Sequence, residues 1–337
     1  MSGNLSTSTN NGSLKPKSLN DGPGQISTSH QSSNSSQKPI DDGLPTLTPL
    51  YEIWGKASQD ILKRKDKPEH LTGLTCIDNI LWGLQKKVLV TVGARTSHGK
   101  SSWAVNLVRH LADANNRVIY FTMETSKEQL LEKLFCNITR TNNLNLLHGK
   151  AKTEFEAKKR MFETWISEAK LLIDDKYGYD FPSMLKVIDI IKPDFVIVDY
   201  IQMISTKGFR SKVDAIEEYV RKFAELAITN NFGAVLISQI NRSGVDEPTM
   251  SKFKWAGVLE EHSRQCLILS YDKIKGVYKI NIEKNSFGQT GEFEVKFEPE
   301  YSSFRDLTEK ELEDIEDKKW SKGKTGSLYP GRSGVDR

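Results

Sequence analysis

One short run of the chain has the residue types and the order of a phosphate cradle: Ala94, Arg95, Thr96, Ser97, His98, Gly99, Lys100 and Ser101, with Ser102 next. In such a P-loop, backbone N–H groups wrap phosphate oxygens and a lysine neutralises the outer ones. The following hydroxyl binds magnesium, and the dipole of the helix that starts there favours the anion. Lys100 and Ser101 stand at the lysine and hydroxyl places. The glycine that usually opens the motif is missing, because Ala94 holds that position and Gly93 comes one step earlier. Alanine restricts the turn without forbidding it. The surroundings separate this run from a coincidental Gly-Lys turn: an apolar strand precedes it, and a helix bearing Trp103, Leu107 and Leu111 on one face follows.

Further polar residues stand just after other apolar runs. Asp199 ends DFVIVDY, and an acid at the carboxyl end of a buried parallel strand can hold magnesium through water. The alternative is a simple strand-end cap. Glu124 lies past VIYFTM, where a carboxylate can act as general base on an attacking water, or serve as a helix-start acid beside Ser126. Gln239 follows AVLIS, where an amide can touch both a γ-phosphate and a moving loop.

These residues need a scaffold that brings strand ends to one edge. Short apolar runs at 88–92, 118–121, 195–198, 234–237 and 266–269 have the length and β-branched content of buried strands. Amphipathic stretches at 101–114, 127–139, 181–191 and 215–230 alternate with them, so an α/β fold is expected: a mostly parallel twisted sheet with helices on both faces. Segments 278–283 and 291–297 read as a C-terminal antiparallel hairpin around FGQTG. The expected organisation is a Ser/Asn-rich disordered tail over 1–45, a linker with an amphipathic helix (Tyr51 to Lys63) over 46–69, a single domain over 70–305 and a charged tail over 306–337. That tail opens on a capping-box pattern, Thr308 to Glu311.

Composition narrows the class. With 37% hydrophobic and 27% charged residues the chain reads as a soluble protein, and no apolar run approaches the ~18 residues of a membrane span. The first thirty residues lack the apolar stretch of a secretory signal. Cys76, Cys136 and Cys266 stand far apart without metal-type spacing and read as buried small hydrophobes in a reducing compartment, which points to the cytoplasm, or to a host cytoplasm for a phage-encoded chain. The net charge of +4 gives only a slight bias toward polyanions.

Taken in order, the motifs resemble the RecA-like ATPase domain of DnaB-type replicative helicases, the superfamily 4 branch of P-loop NTPases. LTGLTCIDNILWGL is similar to that family's lead-in, ARTSHGKS to its alanine-containing P-loop and FTMETS to the segment with its catalytic glutamate. DFVIVDYIQMI resembles its magnesium-binding strand, followed by RKFAELA; LISQINRSG resembles its sensor-glutamine segment and KNSFGQTG its late hairpin. The likeness runs over residues 70–305.

It implies ATP and Mg2+ as the nucleotide and metal, with Lys100, Glu124, Asp199, Gln239 and Lys284 as catalytic residues. It also implies a homo-oligomeric ring, usually a hexamer, with ATP between neighbours and single-stranded DNA through the centre. Loops beyond the sheet carry Lys207, Arg210 and Lys212, and Arg242, Lys252 and Lys254, as candidate DNA contacts. Two departures stand out. Lys284 matches the hairpin lysine, but Ser286 occupies the place of the arginine finger that reaches the neighbour's γ-phosphate. The primase-binding collar has no counterpart, although the helix at 51–63 resembles the one that grips the next subunit. Primase or a loader are the expected partners; the alternative readings are a RecA-like recombinase and a non-motor ATP-binding partner of a helicase.

Overall fold

The uninterrupted apolar strands expected from the sequence are buried on both faces in a computed structural model, which describes residues 50–95, 98–240, 261–272 and 276–315. Strands β1 (Leu89–Ala94), β2 (Val118–Thr122) and β4 (Phe195–Asp199) are buried at every position, and β5 (Gly233–Gln239) at all but its last. With β3 (Leu171–Asp174) and β6 (Gln265–Asp272) they pair in parallel, so all their carboxyl ends lie along one edge. Three antiparallel strands, β7 (Val277–Asn285), β8 (Gly291–Glu298) and β9 (Ser303–Asp306), complete a nine-stranded sheet in the order β3-β2-β4-β5-β1-β6-β7-β8-β9.

Alternation along each strand feeds two cores. On β4, Phe195 and Ile197 face one core with Trp103, Leu107 and Leu111 of α3 (Lys100–Asp113) and Leu130 and Leu134 of α4 (Lys127–Thr139). Val196 and Val198 face the other, with Met184 and Ile188 of α7 (Phe181–Ile191) and Ile216, Val220 and Phe223 of α8 (Lys212–Thr229). Side chains that satisfy orphan N–H groups fix where these helices begin: Ser126 accepts from Gln129 before α4, Asp180 from Ser183 before α7 and Ser211 from Asp214 before α8.

The chain divides into two units, Met1–Lys63 and Arg64–Arg337. The described part of the first is α1 (Leu50–Leu62), whose Ile53, Trp54 and Ile61 are exposed. The second holds everything else, including α2 (Thr75–Leu81), α5 (Asn143–Leu147) and α6 (Lys152–Glu168). The tail expected over 1–45, and the chain beyond residue 315, lie outside the described residues. The capping box does form: the Thr308 hydroxyl accepts from the Glu311 N–H at 3.3 Å, and the Glu311 carboxylate accepts from the Thr308 N–H at 3.0 Å. A helix runs on through 309–315.

The sequence reading lacked β3, β9 and α6. The expected hairpin, β7–β8, forms the first two strands of a three-stranded antiparallel extension. Cys136 and Cys266 are buried as expected, while Cys76 is only partly covered.

Candidate nucleotide site

β1 lies between β5 and β6, and at its carboxyl end Ala94 is level with Gln239 and Leu269. Ala94 is an ordinary strand residue: it is fully buried, is absent from the positive-φ positions and accepts a 2.9 Å hydrogen bond from the Ile240 N–H. Alanine therefore serves there without strain. The turn that follows does need a glycine. Gly99 has φ +79°, and a Cβ on it would sit 2.9 Å from the Phe304 ring of β9. The Gly99 carbonyl then accepts from the Trp103 N–H at 2.8 Å to open α3. Arg95, His98, Ser101 and Ser102 belong to this turn and helix start, with Ser101 and Ser102 half-buried; Thr96 and Ser97 lie outside the described residues.

Lys100 is 7% exposed and sits among the acids that the sequence singled out. Its Nζ is 3.4 Å from Glu124 Oε2, 4.0 Å from Asp199 Oδ1 and 4.4 Å from the centre of the Tyr200 ring. Glu124 is held by the turn between β2 and α4, where the Thr122 hydroxyl donates to the Thr125 carbonyl at 2.8 Å. Its side chain is half exposed. Asp199 is fully buried at the end of β4, and the Asp199–Tyr200 peptide is cis. The Tyr120 hydroxyl donates to Asp199 Oδ2 at 2.8 Å, while Oδ1 has no hydrogen-bond partner among the described residues.

Gln239 is tied to the segment after β4. The Gln202 amide donates to the Ser238 hydroxyl at 2.7 Å and to the Gln239 carbonyl at 3.4 Å, and its oxygen accepts from the Gln239 N–H at 3.3 Å. Gln202 lies in the 3-10 turn Ile201–Met203, which leads into the loop carrying Lys207 and Arg210, and Lys212 follows as the first residue of α8. All three basic residues are exposed on the carboxyl side of the sheet. Arg242, Lys252 and Lys254 lie outside the described residues.

Lys284 does not join this cluster. It is level with Cys266 near the start of β6, at the amino edge of the parallel strands, whereas Lys100 follows their carboxyl edge. Ser286 lies just beyond it on the same edge.

Several residues at the site carried no sequence signal as sites. Tyr120 is pushed well above the usual phenol range by burial and then by the Asp199 charge, so it stays a hydrogen-bond donor. Burial raises Tyr200 as well, with Glu124 and Asp199 adding to it. Lys133 of α4 is lowered by burial, partly offset by Asp199 and Glu124, which puts another ammonium in the field of the site. A polar residue three places after Asp199, inside an otherwise apolar DYIQMI, was the available clue to Gln202.

The donor set fits a magnesium–nucleotide. Among the described residues no cluster of three His, Cys, Asp or Glu side chains can hold a metal alone. Mg2+ characteristically takes one or two protein ligands and completes its shell with water and substrate phosphates. Oδ1 of Asp199, which accepts no hydrogen bond from the described residues, and the hydroxyl of Ser101 suit that role.

Comparison with known proteins identifies the family and the fold. Residues 71–306 match the DnaB-like helicase C terminal domain family. The replicative DNA helicase DnaB of Geobacillus stearothermophilus is 29% identical over 255 residues, which cover 70% of this chain and 56% of that protein. The replicative DNA helicase DnaC of Bacillus subtilis is 28% identical over 256 residues, again 70% of this chain and 56% of the relative. The chain therefore spans little more than half the length of these relatives. Among solved structures, one that consists of an ATPase domain superposes with a TM-score of 0.71 at 21% identity, covering 78% of this chain and 100% of that one. A DnaB-like replicative helicase, studied with its interactions with primase, gives a TM-score of 0.70 at 22% identity over 77% of this chain and 70% of its own. The fold is RecA-like, and through residues 71–306 the chain belongs to the DnaB-like helicase C-terminal domain family.

Proposed function

We propose that the chain is an ATP-driven DNA helicase or translocase of the DnaB type, acting on single-stranded DNA in replication. The observation that carries this is the buried Lys100 ammonium between Glu124 and Asp199, with one Asp199 oxygen accepting no hydrogen bond from the described residues. An ammonium so placed neutralises the outer phosphates of ATP. Glu124, half exposed, takes the proton of the attacking water. Bound magnesium would neutralise charge on the β- and γ-phosphates, and Ser101 and Asp199 are the residues to hold it. Gln239, bonded to Gln202, stands where loss of the γ-phosphate can be passed to the loop with Lys207 and Arg210 and to Lys212 at the start of α8. Arg242, Lys252 and Lys254 complete the proposed DNA path.

Lys284 lies at the edge away from its own Lys100, which supports a role toward an adjacent subunit of a homo-oligomeric ring, hexameric by family likeness. In this reading residues 70–305 form the motor, 46–69 the linker to the next subunit, and 1–45 and 306–337 flank it. Primase or a loader are proposed partners, and the cytoplasm that holds the DNA is the proposed location. No described helix is long and apolar enough to cross a membrane.

Substituting Lys100→Ala tests the reading. ATP turnover with single-stranded DNA is expected to fall to background, and an unchanged rate would end the proposal. Ser286 in the finger position favours one competing reading, a non-motor ATP-binding partner of a helicase. That reading requires turnover no higher than that of Glu124→Gln. Closed rings in electron micrographs would count against a filament-forming recombinase.

A further inference from the structure

β6 and β7 pair with Gln265 opposite Asn285 and Cys266 opposite Lys284. One step further in the same register, Arg264 faces Ser286, and the Ser286 N–H donates to the Arg264 carbonyl at 2.9 Å. Directly opposed residues of an antiparallel pair project from the same face with Cβ atoms about 5 Å apart. Lys284, two residues from Ser286, projects from that face as well. An arginine at 264 therefore starts from almost the same place as one at 286, at an offset that its long side chain spans.

The backbone beneath Arg264 is fixed. Its N–H donates to the Leu89 carbonyl at 3.0 Å. Across the pair, Asn285 donates to the carbonyls of Gln289 at 3.0 Å and Ile80 at 3.4 Å. The Arg264 side chain itself is exposed and makes no hydrogen bond or ion pair among the described residues. A guanidinium presented this way keeps its planar fork open for a bidentate phosphate contact.

It cannot serve its own site. Arg264 is bonded at Leu89, the first residue of β1, while Lys100 follows the last residue, Ala94. At about 3.3 Å per residue the strand alone separates them by roughly 17 Å.

We infer that Arg264 supplies the guanidinium that Ser286 lacks, and that with Lys284 it reaches the terminal phosphate of the nucleotide held by the adjacent subunit. The inference rests on the reading of the chain as a ring-forming ATPase. On this view the finger has moved one strand across the sheet and the interface keeps two cations.

The test uses the full chain and DNA-stimulated ATP turnover. Arg264→Ala is expected to lower turnover on the order of 10³-fold, with binding of a fluorescent ATP analogue unchanged. Combining Arg264→Ser with Ser286→Arg should restore most of the rate, which a merely structural role for Arg264 would not do. Mixing Arg264→Ala with Lys100→Ala, each inactive alone, should recover turnover, because some interfaces then join an intact cradle to an intact arginine. Turnover of Arg264→Ala within about twofold of the unaltered chain, or a double variant that stays inactive, overturns the inference. A parallel mixture of Lys284→Ala with Lys100→Ala separates the two levels: recovery there but not with Arg264→Ala defeats Arg264 alone, and recovery in neither defeats the ring reading and this inference with it.

Discussion

Tyr120 on β2 donates a 2.8 Å hydrogen bond to Oδ2 of Asp199 on the adjacent β4, and Oδ1 of the same carboxylate is left without a hydrogen-bond partner among the described residues. Both residues are fully buried, so the hydroxyl sets which oxygen remains open. Tyr120→Phe keeps the ring and removes a hydrogen bond to a charged group, which contributes about 1.5–3 kcal/mol. The magnesium concentration for half-maximal ATP turnover should rise on the order of tenfold, equivalent to about 1.4 kcal/mol. A magnesium titration of the variant beside the parent checks this, and coincident curves would remove Asp199 from the metal site.

Gln202 joins the segment after β4 to the end of β5 through Ser238 and Gln239. Gln202→Leu should leave ATP binding intact and abolish stimulation by DNA, bringing turnover with and without single strands to within about twofold. Each lost hydrogen bond contributes only about 1 kcal/mol to stability, so the fold should survive. Retained stimulation would show that the signal takes another route.

Replacing Lys207, Arg210 and Lys212 together by alanine addresses the exposed loop. Each phosphate contact with a single strand adds about 0.7 to the slope of log affinity against log salt. The triple variant should lower that slope by about 2 in anisotropy titrations of an oligothymidine across a salt series. An unchanged slope would place the loop off the DNA path.

Glu311 offers a pH reading. Two hydrogen bonds from Arg305, at 2.7 and 2.9 Å, and one from the Thr308 N–H pull it from its ordinary 4.5 to about 2. A depressed carboxylate contributes stability above its unfolded value and loses it as pH falls toward the folded one. Protection of the amides over 309–315, taken relative to their intrinsic exchange rates, should therefore weaken between pH 4.5 and about 2. Glu311→Gln should exchange quickly at neutral pH already, and equal protection in both proteins would discount the pair.

What could be read from the sequence was whatever a strand end makes visible. Lys100, Glu124 and Asp199 each follow an apolar run, and the sheet brings those run ends to one edge, so types and order were enough to group them. Tyr120 was hidden because a tyrosine inside VIYFT looks like any β-former, and only its neighbour strand reveals what its hydroxyl meets. Lys133 lies in the amphipathic stretch 127–139, whose period does not single it out. The edge strands β3 and β9 have only four residues each, LLID and SFRD, too short for a period to show. In α6 Phe162 is the one residue buried, so its apolar stripe is too thin to announce a helix. Arg264 gained meaning only through the register that sets it opposite Ser286.

The strand order also bears on how the chain matures during synthesis. β1 is the first of the described strands to be made, yet its partners among them are β5 and β6, which begin at Gly233 and Gln265. While the nascent chain ends before those residues, LVTVGA has no ladder to join, and a buried, apolar strand is held exposed. Loop-closure entropy must be met before such a distant pairing gives any return. β2, β3 and β4 can meanwhile pair among themselves. A ribosome stalled before residue 233 thus carries a partial sheet and an orphan strand, the kind of species that chaperones and aggregation compete for. The cradle gains its shape only after most of the domain has been translated.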